Sequence, residues 1–258
     1  MSWLTIGSAT DQGRVKKENQ DYHRFYPPEK GKRHKFGSLI ALADGMGGHR
    51  GGAIAARTAV DVLFETYYKS AAPTIPQALA EGFAAANKAI FERSANEPAL
   101  FGMGCTLAVM ALKDKALHVA HVGDSRCYRI SQGRIDQLTE DHSLVASLMK
   151  AGVISAEEAL DHPDKHIITR AIGLQETVEA SHNKTPMTVD KGDYLLICCD
   201  GLWETVADGQ ILETILRLKD PSSICKDLVE QANRNGGPDN ITVIVTKVDG
   251  TGILARLF

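Results

Sequence analysis

Residues 38–52 hold the feature that most limits what this chain can become. An apolar run from Ser38 to Ala43 has the length and character of a buried strand. It stops at Asp44, and Gly45, Met46, Gly47, Gly48, His49, Arg50, Gly51 and Gly52 follow. A carboxylate at the mouth of a core strand is costly to bury unless positive charge meets it. A hard cation is the simplest such partner, because it takes carboxylate, carbonyl and water oxygens together. An Asp-Gly pair is also ordinary chemistry for a tight turn. From this stretch alone both readings stand.

The arrangement recurs. The run Ala116 to Val122 ends at Gly123, Asp124, Ser125 and Arg126, and the run Tyr194 to Cys199 ends at Asp200 and Gly201. Asp239 and Asn240 stand just before a last run, Ile241 to Val248. Asp44, Asp124, Asp200 and Asp239 thus share one address, where a strand meets a Gly- or Asn-containing turn, and Asp21 is a further candidate. Like charges crowded together need cations. The donors are hard oxygens with no Cys or His cluster beside them, which favours Mg²⁺ or Mn²⁺ over Zn²⁺. Two such ions bridged by one carboxylate can hold and deprotonate a water for phosphoryl transfer. The chain has neither a P-loop nor a G-x-S-x-G elbow, so for a hydrolase, attack by metal-bound water is the economical mechanism.

Composition narrows the class further. A formal charge of -3 gives no basic excess for nucleic acid. With 258 residues, 24% charged and 43% hydrophobic, the chain can build a large core as one domain over 1–258. The five cysteines make no C-x-x-C pair and have apolar neighbours, as packed, reduced thiols of a cytoplasmic protein would. The adjacent Cys198 and Cys199 read as core filling rather than a redox pair. The N-terminus lacks the apolar segment of a signal peptide, and no run is long enough to cross a bilayer, so no direct membrane insertion is expected.

Strands are expected over 4–10, 105–112, 116–122, 127–130, 134–138, 194–199 and 241–248. The middle four read as a serial meander, hence antiparallel sheet. Helices are expected over about 52–70, 76–95, 208–218 and 221–234, the second with Pro76 in its first turn. His118 and His121, three apart, point to opposite faces of their strand and make no metal pair. Residues 11–21 form a polar loop, either simply solvated or bringing Arg14, Lys16 and Lys17 to an oxyanion while Asp21 faces a metal or its water. Residues 26–37 read as an exposed hairpin loop. Residues 139–170 carry short helices near 143–151 and 156–161, the latter opened by the capping-box spacing of Ser155 and Glu158. This insertion is a lid beside the site or an ordinary surface excursion. Residues 249–258 form a tail whose Ile253, Leu254, Leu257 and Phe258 can dock back on the body.

Taken together, Asp44-Gly45-Met46-Gly47-Gly48, Gly123-Asp124-Ser125-Arg126, Asp200-Gly201 and Asp239-Asn240-Ile241-Thr242 resemble, in order and spacing, the motifs of the PP2C-like metal-dependent serine/threonine protein phosphatases in their compact bacterial form. Asn19-Gln20-Asp21 is similar to the N-terminal motif of that family. The resemblance runs over about residues 5–248. It implies an α+β fold, a four-layer α/β/β/α sandwich of two antiparallel sheets flanked by helices. It implies Asp44 as the carboxylate bridging two Mn²⁺ or Mg²⁺ ions, with the Gly45 carbonyl completing one site and Asp200 and Asp239 the other. Asp21 would act through a metal-bound water, and Asp124 with Asp200 would form a weaker third site. His49 matches the histidine proposed to protonate the leaving oxygen, and residues 142–166 match the variable flap.

One departure concerns phosphate. Family members usually carry arginine where this chain has Lys16, which keeps the charge and loses the planar fork. Arg14 is the alternative phosphate ligand. The activity implied is hydrolysis of phosphoserine and phosphothreonine in proteins by water bridging the two ions, with phosphorylated proteins and a cognate serine/threonine kinase as partners. The rivals are a catalytically weak phosphoprotein-binding regulator and a hydrolase of small phosphoesters or nucleotides.

Overall fold

The structure, a computed structural model, describes residues 3–26, 34–46 and 51–250. Most of the expected loop at 26–37 and nearly all of the expected tail lie outside the described residues, and so does His49. In chain order the elements begin with β1 (Leu4–Asp11), β2 (Tyr22–Tyr26), β3 (Ser38–Ala43), β4 (Gly45–Met46), α1 (Gly51–Lys69) and α2 (Ile75–Asn96). They continue with β5 (Gly104–Cys105), β6 (Leu107–Lys113), β7 (Ala116–Val122), β8 (Arg126–Ser131), β9 (Arg134–Gln137), α3 (Leu144–Lys150) and α4 (Ala156–Leu160). After β10 (Ser181–His182), β11 (Met187–Thr188) and β12 (Tyr194–Cys198) come α5 (Asp200–Trp203), α6 (Asp208–Leu218), α7 (Pro221–Arg234) and β13 (Ile241–Val248).

Two antiparallel sheets form the centre. One runs β1-β13-β12-β8-β9, and the other runs β10-β7-β6-β3-β2 with β11 also on β7. The two-residue period of a strand explains why the central strands are apolar throughout. In β3, Leu39, Ala41 and Ala43 face α1 and α2, while Ile40 and Leu42 face the other sheet. In β12, Leu196 and Cys198 face the helices α5 to α7, while Leu195 and Ile197, with Cys199 just past the strand, point between the sheets. Three apolar layers therefore separate four structural ones, helices, sheet, sheet, helices, as the resemblance implied. Each fully buried Leu or Ile is worth about 2 kcal/mol of transfer free energy, so the strand ends that carry polar groups stand on rigid stems. The alternation also sends the Cys198 and Cys199 thiols to opposite faces, which excludes a bond between them and leaves both as core filling.

Helix starts follow local chemistry. Thr74 caps α2 by accepting from the Gln77 N–H, with Pro76 in the first turn. Asp220 caps α7 by accepting from Ser223 N–H at 2.8 Å. The Ser155–Glu158 capping box is present at the start of α4. Among the described residues no helix is long and apolar enough to cross a membrane.

Two expectations need correction. The middle strands are antiparallel but do not form one meander. β6 and β7 pair in one sheet, and β8 and β9 pair in the other. The chain changes sheets at Gly123, whose φ of 102° suits glycine and few other residues, and at Asp124 and Ser125. Sequence periodicity does not distinguish the two sheets, because each buries both faces of its central strands. Likewise, the run 105–112 is not one strand. It breaks at Thr106, where β5 pairs with β4 and β6 pairs with β3. The break in 105–112 faces the break between β3 and β4 at Asp44.

Candidate metal centre and active site

Asp44 is held in that double break. Its backbone N–H donates to Thr106 Oγ1 at 3.0 Å, and its carbonyl accepts from Thr106 N–H at 2.8 Å. Thr106 Oγ1 is in turn 2.7 Å from Ser125 Oγ, which ties Asp44 to the corner where the chain changes sheets. Gly45 is packed so closely that a Cβ there would collide with the Gly52 carbonyl.

The strand-end aspartates converge on one cleft of about 710 Å³ at one end of the sandwich, where the two sheets meet. Asp44, Gly45, Asp124, Asp200 and Asp239 line it, with Lys16, Lys17, Glu18, Gln20, Met46, Thr106, His166, Ile168 and Asn240. Asp21 lies behind this wall against Asp44, Cys199 and Thr242. The Asp44 carboxyl brings an oxygen within 4.8 Å of one from Asp21, and the charge of Asp200 also acts on it. Asp200 opens α5 rather than ending β12, so its backbone already turns away from the strand.

The electrostatics follow from this crowding. Burial, then the charges of Asp21, Asp200, Asp124 and Asp239, holds the Asp44 pKa well above the carboxylate range. Burial, then Asp124, Asp239 and Glu204, does the same to Asp200. Asp21 is pushed up to about 6, first by burial and then by Asp239, with partial relief from contacts to Thr242, Cys199 and Asp44. Asp124 also reaches about 6, through burial and the charge of Asp141. Partial burial works against the Lys16 ammonium, but Asp239, Asp44 and Asp200 outweigh it and raise its pKa.

Both oxygens of Asp21 and one of Asp200 are buried and accept no well-formed hydrogen bond among the described residues. Three orphaned carboxylate oxygens would be strongly destabilising unless a cation met them, so the residues fit the divalent ions that the strand-end pattern calls for. Asp21, Asp44 and Cys199 each bring one ligand atom within 4.8 Å of the others. The thiol is a wall, not a ligand. Burial and the adjacent aspartates raise its pKa well above the ordinary value, and it donates to Asn240 C=O at 3.3 Å while accepting from Thr242 N–H at 3.0 Å. The donors left are hard oxygens, which suits Mn²⁺ or Mg²⁺.

The two phosphate candidates are placed differently. Lys16 Nζ lies in the cleft, 2.7 Å from Asp239 Oδ1 and 2.8 Å from Oδ2. Arg14 does not line it; its backbone N–H donates to Gly237 C=O at 2.7 Å and its guanidinium lies 3.9 Å from Asp11. The segment 142–166 is closed at its neck by Leu144 N–H on Ile167 C=O at 2.8 Å and by a bridge between Ser143 and Ile168. Beside that neck, His166 stands at the rim of the cleft, 3.0 Å from Glu204.

Two residues that sequence reasoning passed over organise the site. Thr106 gives no signal, since it sits inside an apolar run. Asn240 appears only as the neighbour of Asp239, yet its side chain clamps the 11–21 loop. It accepts from Gln20 N–H and donates to the carbonyls of Gln12 and Glu18, all at 2.9 Å. Arg126 is a third anchor. It binds Asp141 at 2.7 Å and lies 3.6 Å over the Trp203 ring, whose Nε1–H donates to the Asp124 carbonyl at 3.1 Å.

A double antiparallel sandwich with a carboxylate-walled cleft where its sheets meet is the architecture that the sequence motifs implied. The protein phosphatase 2C family model matches residues 11–237, and the chain belongs to that family of metal-dependent serine/threonine phosphatases. Protein phosphatase PhpP of Streptococcus pneumoniae (strain D39) is 37% identical over 250 residues, covering 95% of this chain and 98% of that one. The solved serine/threonine phosphatase of S. agalactiae superposes with a TM-score of 0.87 at 35% identity, covering 95% of this chain and 100% of that one. The catalytic domain of the phosphatase PstP, solved in complex with two manganese ions, superposes with a TM-score of 0.81 at 35% identity, over 95% of this chain and 98% of its own.

Proposed function

We infer that this chain hydrolyses phosphoserine and phosphothreonine in proteins at the carboxylate-walled cleft, as one phosphatase domain. The observation that carries the site assignment is the Asp44 carboxyl crowded by Asp21 and Asp200, with three buried carboxylate oxygens that accept no well-formed hydrogen bond among the described residues. Asp44, the Gly45 carbonyl, Asp200 and Asp239 would hold two ions, with Asp21 behind them and Asp124 contributing to a third, weaker site. Bound there, Mn²⁺ or Mg²⁺ would lower the pKa of coordinated water and offset phosphoryl charge.

The rest falls to the chain itself. Lys16, rather than Arg14, is the phosphate's cationic partner, since it reaches the cleft and Arg14 does not. His49 supplies the proton that a seryl or threonyl alkoxide needs on leaving. Thr106 and Asn240 fix the directions of Asp44 and of the loop that bears Lys16. The substrates are phosphorylated proteins, and the natural counterpart is the serine/threonine kinase that modifies them. A cytoplasmic setting is supported by five cysteines that are all free and buried.

The test is phosphate release from a phosphothreonine peptide with Mn²⁺, with Mg²⁺ and with chelator. Release that depends on metal is expected. No release under any metal condition would sink the enzyme reading, and a marked preference for nucleotides in kcat/KM would sink the substrate class.

A further inference from the structure

The Lys16 ammonium does not hang free in the cleft. It sits astride one of the proposed metal ligands, touching both oxygens of Asp239 at 2.7 and 2.8 Å. Asp239 Oδ1 also accepts from the Asn240 N–H at 2.7 Å. A carboxylate offers about four lone-pair sites, so a divalent ion seeking Asp239 meets one already largely committed. Lysine can give way. Its backbone is pinned, because its carbonyl accepts from Gln12 Nε2 at 2.6 Å, but its side chain is 48% exposed and has room to turn. An ammonium is also a point charge on a flexible stem, whereas an arginine fork would grip the carboxylate in paired hydrogen bonds.

We propose that the Lys16 ammonium and a divalent cation compete for the Asp239 carboxylate, and that substrate phosphate settles the competition by drawing the ammonium to itself. This rests on the phosphatase reading above and adds a coupling to it. Metal loading at Asp239 frees the cation that binds phosphate, and phosphate, by holding that cation, strengthens metal binding. The two effects are equal by linkage. Lys16 is in this sense a positioning residue that joins two binding events.

The experiment is calorimetric titration of the full chain with Mn²⁺, with and without inorganic phosphate, for the wild type and for Lys16→Ala, Lys16→Arg and Lys17→Ala. A half-exposed ion pair is a weak competitor, so Lys16→Ala should tighten the Mn²⁺ site that Asp239 serves roughly fivefold. Lys16→Arg should loosen it. Lys17→Ala, which removes the same charge from the same cleft, should move it much less. Phosphate should strengthen Mn²⁺ binding more in the wild type than in Lys16→Ala. Unchanged or weaker Mn²⁺ binding in Lys16→Ala would overturn the competition, as would an equal gain in Lys17→Ala, which would mark a general field effect. Equal strengthening by phosphate in the wild type and in Lys16→Ala would overturn the role of phosphate. A protein that binds no Mn²⁺ in any variant would remove the phosphatase reading itself. Normal binding with no response at position 16 removes this inference alone.

Discussion

Asp44 and Thr106 hold each other twice, each giving its backbone N–H to the other, one bond to a carbonyl at 2.8 Å and one to a hydroxyl at 3.0 Å. Removing the hydroxyl leaves the Asp44 N–H and the Ser125 hydroxyl short of a partner. Thr106→Val should therefore cost about 2 kcal/mol, or about 4–8 °C in Tm for a chain this long, and lower kcat at saturating Mn²⁺. Thr106→Ser should restore most of both. Thermal melts and initial rates on the pair decide it; a Val variant with wild-type Tm and kcat would show that the break in the strand, not the hydroxyl, places Asp44.

Asp44→Asn and Asp239→Asn should each abolish nearly all turnover while the fold survives. For Asp44 the direction with pH follows from its raised pKa. The folded protein keeps the Asp44 proton at pH values where the unfolded chain has lost it. That contribution to stability is present in acid and lost as pH rises. Asparagine has no proton to lose. In chelator, the variant should exceed the wild type by about 3 °C or more in Tm at pH 8, with the gap closing toward pH 4. His142, whose pKa burial depresses to about 3, acts in the opposite direction but equally in both proteins, so it cancels in the difference. A gap independent of pH would contradict the charge argument, and near-normal activity of Asp239→Asn would remove Asp239 as a ligand.

Asp124 stands on the corner that Trp203 and Arg126 anchor. Asp124→Asn should leave two Mn²⁺ sites and weaken or delete a third. Calorimetry that finds unchanged stoichiometry and affinity would take Asp124 off the ligand set.

Asn240→Asp keeps the acceptor for Gln20 but replaces the two donors to Gln12 and Glu18 by a repelling oxygen. The 11–21 loop should loosen. Stability should fall by about 1–3 kcal/mol, and KM for a phosphopeptide should rise more than kcat falls, because the loop carries Lys16. A raised KM is the specific readout, and a lowered Tm with unchanged KM would make Asn240 a purely structural clamp.

A seryl alkoxide leaves poorly without a proton, while a nitrophenolate leaves well. His49→Ala should thus slow a phosphoserine peptide far more than nitrophenyl phosphate. Equal losses on the two substrates would make His49 a structural residue or one that positions water.

What could be read beforehand followed from local chemistry. The strand-end carboxylates show in sequence because each stands where an apolar run ends or begins, and the long helices because their caps and periods are local. The change of sheet at 123–125 does not show, since a strand buried on both faces looks the same in either sheet. Strands β10 and β11 are two residues each and carry no period. Thr106 is hidden because a threonine in an apolar run is unexceptional, and its importance comes only from the residue across from it. That Lys16 lines the cleft and Arg14 does not likewise depends on the path of a loop that Asn240 shapes from the far end of the chain.

The cleft carboxylates are drawn from both sheets: Asp44 follows a strand of one, Asp239 precedes a strand of the other, and Asp124 sits on the crossing between them. The distance between these groups is thus a gauge of how the two layers are registered. A substitution such as Ile40→Val or Ile197→Val, deep between the sheets, should shift that registration. Divalent-ion affinity becomes a reporter on interior packing, and drift in the hydrophobic middle of the molecule would surface first as a loss of metal, well before any loss of fold.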